Sequence, residues 1–148
     1  MTQAFNDDLF IAFAALTDLD AEHLRHGGSF TVDGVECAML AGRDGANNTL
    51  SCQVDFGLPP SERMTATLSS LLELNYLQAP HGACFTIAPG TGHVVYVLNL
   101  PISEMSAEDL AAAFEACATQ AREWRQHHFL DQTPTEDSRS RMSVMQLA

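Results

Sequence analysis

The chain contains no lysine; its seven basic side chains are all arginine, set against nineteen acids. Its formal net charge is −12. Phosphate and anionic-lipid contacts need Lys and Arg, so neither nucleic acid nor a membrane surface fits as a partner. The shortage is sharpest in the body: residues 1–121 hold fifteen acids and three arginines, whereas residues 122–148 hold four of each. Long apolar runs are lacking too. No stretch approaches the roughly 18 apolar residues that cross a bilayer, and Asp7, Asp8 and Asp18 interrupt the apolar segment Ala4–Leu19. No basic region precedes that segment, so it does not read as a secretory signal, and the expected location is the cytoplasm. The four cysteines, Cys37, Cys52, Cys84 and Cys117, include no CxxC pair. Each falls in an apolar pattern, which points to small buried hydrophobes in a reducing compartment rather than to disulfides.

What is present suits one globular domain: 148 residues, 46% of them apolar, can bury a core without staples. We expect that domain to span residues 1–130. Residues 131–148 carry Thr133-Pro134-Thr135 and Ser138-Arg139-Ser140-Arg141 and read as a disordered tail.

The first helix starts near Thr2, with Phe5, Leu9, Phe13 and Leu16 on one face and Phe10 widening it. Asp20–Arg25 adds a short helical turn, ended by Gly27-Gly28. Three strands follow. Ser29–Val32 and Val35–Leu40 are joined by Asp33-Gly34, a strong hairpin dipeptide. A Gly- and Asn-rich link over residues 42–48 leads to Leu50–Phe56, where Leu50, Cys52, Val54 and Phe56 alternate with polar residues. After Pro59-Pro60, Ser61 is the expected cap of a second long helix. Its apolar residues, Met64, Leu68, Leu71, Leu72, Leu74 and Tyr76, cover roughly 200° at 100° per residue, with Leu77 further round. One core needs about half that arc, so a second subunit is expected on this helix, at Leu68, Leu71, Leu74 and Leu77. The last helix is plainer. Ser106 and Asp109 form a capping box, Met105 and Leu110 a staple, and Leu110, Ala113, Phe114, Cys117, Ala121 and Trp124 a single stripe.

The rest of the chain is organised around Leu71–Pro101. Apolar helix gives way to β-prone Ala83–Ile87, the turn Pro89-Gly90-Thr91-Gly92, and Val94–Leu98. A Leu-Leu-Glu-x-Asn-aromatic helix end, a glycine before the strand, a Thr-Gly turn, a strand closing on Leu-Pro-Ile and an acidic helix ending in Trp follow in that order. This order resembles class I chaperones of type III secretion, the Tir chaperone family, from about Phe5 to His128. Where that family usually has a glycine pair, this chain has Gly82-Ala83. The resemblance implies a cytoplasmic homodimer that binds the unfolded N-terminal segment of a secreted effector, keeping it soluble and competent for export. It also implies apolar client contacts on the first helix and neighbouring strands. Here those are Phe5, Leu9, Phe10 and Phe13, with Val32, Val35, Cys37 and Met39 at a sheet end that offers a free edge.

Chemistry finds little footing. His23 and His26 share a helical face and His127 and His128 are adjacent, but no Cys or carboxylate stands in register with either pair, so no metal is expected. His81 and Cys84 could be imagined as base and nucleophile, yet no orienting third group or oxyanion loop accompanies them. Gly90-Thr91-Gly92 joins two strands, so it is no phosphate loop, and no cofactor is expected. The expected fold is α+β, a twisted antiparallel β-sheet with three helices in the order α-β-β-β-α-β-β-α. The expected function is binding rather than catalysis. The alternatives are a protein-binding regulator outside secretion on the same fold, and a small acidic enzyme using His81 and Cys84.

Overall fold

The computed structural model describes residues 2–41 and 49–128, with side chains from Asp8 onward. The link at 42–48 and the tail at 131–148 lie outside the described residues. Helices α1 (Thr2–Thr17) and α2 (Ala21–Arg25) precede strands β1 (Phe30–Val32), β2 (Val35–Ala41) and β3 (Thr49–Gly57). Then come α3 (Met64–Gln78), β4 (Ala83–Ile87), β5 (Val94–Pro101) and α4 (Ala107–His127). The expected α+β class holds. The described helices number four rather than three, because the Asp20–Arg25 turn forms a helix of its own, capped by the Asp20 carboxylate accepting from the Glu22 N–H at 3.2 Å.

The strands form one antiparallel sheet in the order β1-β2-β3-β5-β4. Two tight connections set its register. At Asp33 and Gly34 φ is 49° and 79°, the doubly positive geometry that matches strand twist in a two-residue hairpin. Between β4 and β5, the Ala88 N–H donates to the His93 carbonyl at 2.9 Å, closing the Pro89–Gly92 loop. Only Gly92 of its two glycines takes positive φ, at 76°. The Thr91 and Gly92 N–H groups both bond the Ala88 carbonyl, so Gly90 sits in an ordinary turn.

Register then dictates burial. Cys37, Val54, Tyr96 and Phe85 stand side by side across four strands, and all four are buried. Met39, Cys52, Leu98 and Ala83 form the next buried row. Helix α4 packs over β3 on this face, and α1 packs against α4. Two aromatic clusters fill the space. Phe13, Phe30 and Phe114 meet with ring centroids 5.1–5.9 Å apart, and Phe56 contacts Phe85, Tyr96 and Trp124 at 5.3–6.0 Å. Such tilted and edge-on pairs add to the burial of the rings themselves. The α4 capping box forms as its residues dictate: Ser106 Oγ accepts from the Asp109 N–H at 3.1 Å, while Asp109 Oδ2 accepts from the Ser106 N–H at 3.4 Å.

Two local expectations are corrected, and a third feature had no expectation behind it. Ser61 does not cap α3; Ser61–Arg63 make a 3-10 turn first, and α3 begins at Met64 with no side-chain cap. The Arg63 N–H bonds the Pro60 carbonyl at 3.3 Å, which winds the chain before the α-helix starts. Leu16 is half exposed rather than inward. Helix α1 docks on Phe10, Phe13 and Ala14, a face rotated away from the one read from Phe5 and Leu16. Third, the polar end of β3 was not foreseen. A bulge between Asp55 and Gly57 turns its carbonyls toward α4, where Arg125 donates to Phe56 O at 3.0 Å and Asp55 O at 2.7 Å. Both Asp55 carboxylate oxygens also lie within 3.0 Å of His93 Nδ1.

Candidate functional site

Among the described residues, two apolar helix faces remain open once the core is complete. On α1, Ile11, Ala12, Ala15 and Leu16 are exposed on the side opposite Phe10 and Phe13. On α3, Thr67, Leu71 and the half-buried Leu68, Leu74, Asn75 and Gln78 turn toward the protomer. Leu72, Tyr76 and Leu77 do not, with exposures of 67%, 83% and 66%. Met64, Leu68, Leu72 and Tyr76 recur every fourth residue and make one ridge along that helix. Soluble monomers seldom leave such rows uncovered, so each face is a candidate contact.

The residues expected to hold a client divide sharply by burial. Leu9, Phe10, Phe13, Val35, Cys37 and Met39 are at most 9% exposed and belong to the core. Val32 is half-buried at the hairpin end of β1. The backbone of Phe5 lies in α1, and its side chain is outside the described residues. Of the residues expected at a subunit contact, Leu71 is taken up by the protomer's own core, Leu68 and Leu74 are half-buried, and Leu77 is exposed. Sequence reasoning named these from periodicity. It missed the exposed Ile11, although the same helical count places that residue opposite the phenylalanines.

No three His, Cys, Asp or Glu side chains come together as a metal site among the described residues. Most histidines have visible structural employment. His23 Nε2 lies 2.8 Å from the Ser29 carbonyl, and His26 Nδ1 lies 2.7 Å from the Glu22 carbonyl. His128 stacks edge-on against Trp124. His81 is exposed at the end of a single 3-10 turn, whereas Cys84 sits half-buried on β4 opposite Val97. Burial pushes the Cys37 thiol up to about 12, with the Asp55 and Glu36 charges adding to the effect. Burial also lifts Cys117 to about 12 and raises Cys52 further still. Thiols held so far above neutral pH are poor nucleophiles. At pH 8 an alkylating reagent is therefore expected to modify only Cys84 quickly in the folded chain, and the remaining three cysteines only after denaturation. Fast modification of Cys37, Cys52 or Cys117 in the folded state would contradict the packing described.

The sequence profile of the Tir chaperone protein (CesT) family matches residues 14–125, most of the chain. The chain belongs to that family. The resemblance read from Leu71–Pro101 is thereby upheld. Three solved structures share the fold. A chain of the ExsC–ExsE complex superposes with a TM-score of 0.66 at 17% identity, covering 85% of this chain and 95% of that one. The HopA1–SchA chaperone–effector complex gives 0.58 at 17% identity, covering 82% and 94%. The Yersinia pestis type III secretion chaperone SycH, in complex with a stable fragment of YscM2, gives 0.55 at 19%, covering 79% and 97%. At such identities the likeness speaks for the fold. No curated protein shows significant sequence similarity to the chain. No described helix is long and apolar enough to cross a membrane.

Proposed function

We propose that this protein is a cytoplasmic type III secretion chaperone without catalytic activity. As a homodimer, it binds the unfolded N-terminal segment of a secreted effector and keeps it soluble for export. The observation that carries the reading is the open apolar face of α1 on a chain of the Tir chaperone family: Ile11, Ala12, Ala15 and Leu16 are exposed although the core beneath them is closed. The structures that share the fold include a chaperone–effector complex and a secretion chaperone bound to a protein fragment, which supports the same partner class.

An extended client that orders on binding loses conformational entropy worth on the order of 2–5 kcal/mol, so it needs apolar area that the chaperone's own core does not claim. Because Phe10, Phe13, Val35, Cys37 and Met39 are buried, the client contact falls on their exposed neighbours, Ile11, Ala15 and Leu16 on α1 and Leu40 on β2. The acidic body would draw a basic segment and keep the complex soluble. The test pairs the chain with the N-terminal segments of candidate secreted effectors, one at a time. Ile11→Asp, and separately Leu16→Asp, should keep the fold and weaken that binding by at least about tenfold, roughly 1.4 kcal/mol. Normal binding by both folded variants would place the client elsewhere.

A further inference from the structure

Asn75 is part of the Leu-Leu-Glu-x-Asn-aromatic helix end, and nothing above assigns it a role. Its carboxamide reaches from the last turns of α3 to β4. The side-chain Nδ2 donates to the Phe85 carbonyl at 3.0 Å, and Oδ1 accepts from the Phe85 N–H at 2.6 Å. Among the described strands β4 is an edge strand, paired only with β5. Two bonds fix which of its backbone groups face outward. Ala88 N–H to His93 O and Asn99 N–H to Gly82 O make 88 and 82 hydrogen-bonded positions of the ladder. By the alternation of an antiparallel pair, residue 85 then points both its N–H and its C=O away from β5. Those are the central pair of the outward groups an added strand would use, and Asn75 occupies both.

We propose that Asn75 seals the β4 edge against strand addition, whether by a second copy of this chain or by an extended client. One carboxamide supplies the donor and acceptor that a neighbouring strand's backbone would present, and Asn is the shortest side chain that carries them on two separate atoms, as a peptide group does. Gln78 steadies the same turn, since its Oε1 accepts from the buried Tyr96 hydroxyl at 3.1 Å. An open edge of apolar strand residues invites pairing with other chains, and natural sheets blunt such edges. Here the plug leaves the β1 side as the open edge among the described strands. That consequence for a client rests on the proposed chaperone role; the seal itself does not. A subunit contact through α3 is likewise a helix-to-helix contact and not a continuation of the sheet.

The test uses the chain alone, so its failure is distinct from a failure of the chaperone reading. Amide exchange followed by NMR should show the Phe85 N–H protected in the unmodified chain, although it lies on an edge. In Asn75→Ala that amide should exchange at least about tenfold faster, because one hydrogen bond is lost and an outward carbonyl is bared. The variant should also form assemblies larger than those of the parent at the same concentration. Adding Ile87→Pro, which blocks a neighbouring outward N–H without costing a ladder bond, should suppress them. Should the alanine variant not fold, Asn75→Leu takes its place; it keeps the bulk and removes both the acceptor for the Phe85 N–H and the donor. An unprotected Phe85 amide in the parent overturns the proposal. So does a folded Asn75 variant with fast Phe85 exchange and no new assembly.

Discussion

Leu72→Asp is expected to turn the proposed homodimer into a monomer while leaving the protomer's fold intact. Leu72 is two-thirds exposed in the protomer, so a carboxylate there costs the isolated chain little. Across a two-fold contact the same residue is used twice, and both copies of the charge would be buried beside the Met64, Leu68 and Tyr76 ridge. Rows of every fourth residue pack into one another at an inclined crossing, which suits two copies of α3. Truncating a central contact residue typically costs about 2 kcal/mol or more, so the dimer should weaken at least about thirtyfold. Light scattering at tens of micromolar should report a monomer for the variant and a dimer for the parent. A variant that stays dimeric with a parental melting curve would move the subunit contact off this ridge.

Phe10→Asp should unfold the protomer. Phe10 is 5% exposed and packs in the core with Phe13 and Ala14. Removing a buried phenylalanine costs about 3–5 kcal/mol, and a carboxylate left in its place adds a desolvation penalty of its own. Together these approach the roughly 5–15 kcal/mol by which a whole domain is stable. The expected result is loss of the near-ultraviolet signal of the buried Trp124 and loss of the cooperative melt. The neighbouring Ile11→Asp should show neither. A Phe10→Asp chain that melts like its parent would return that side chain to the surface, where the client contact implied by the family resemblance requires it.

This contrast shows where the sequence was legible. The β4–β5 hairpin, the alternation of Leu50, Cys52, Val54 and Phe56, and the Ser106–Asp109 capping box depend on neighbours within a few residues. All three were readable in advance. Periodicity also showed that α3 carries more apolar surface than one core can cover. It could not show the angle at which a helix docks. A modest rotation of α1 turned Phe10 inward and Leu16 out, and with them the division between core and contact surface. Contacts between distant positions were invisible for another reason. Arg125 meets the Asp55 carbonyl across a separation of 70 residues, and Asn75 meets Phe85 only because α3 lies along the edge of β4. Neither pairing leaves a spacing to read.

The account stands or falls on client binding. The most direct measurement co-expresses the chain with the N-terminal segment of a candidate secreted effector captured by it, isolates the complex and determines its mass by light scattering. The account predicts a soluble complex of two copies of this chain with the client segment, and an insoluble or degraded segment when the chain is withheld. A segment equally soluble without the chain, and absent from its purified fraction, would contradict it.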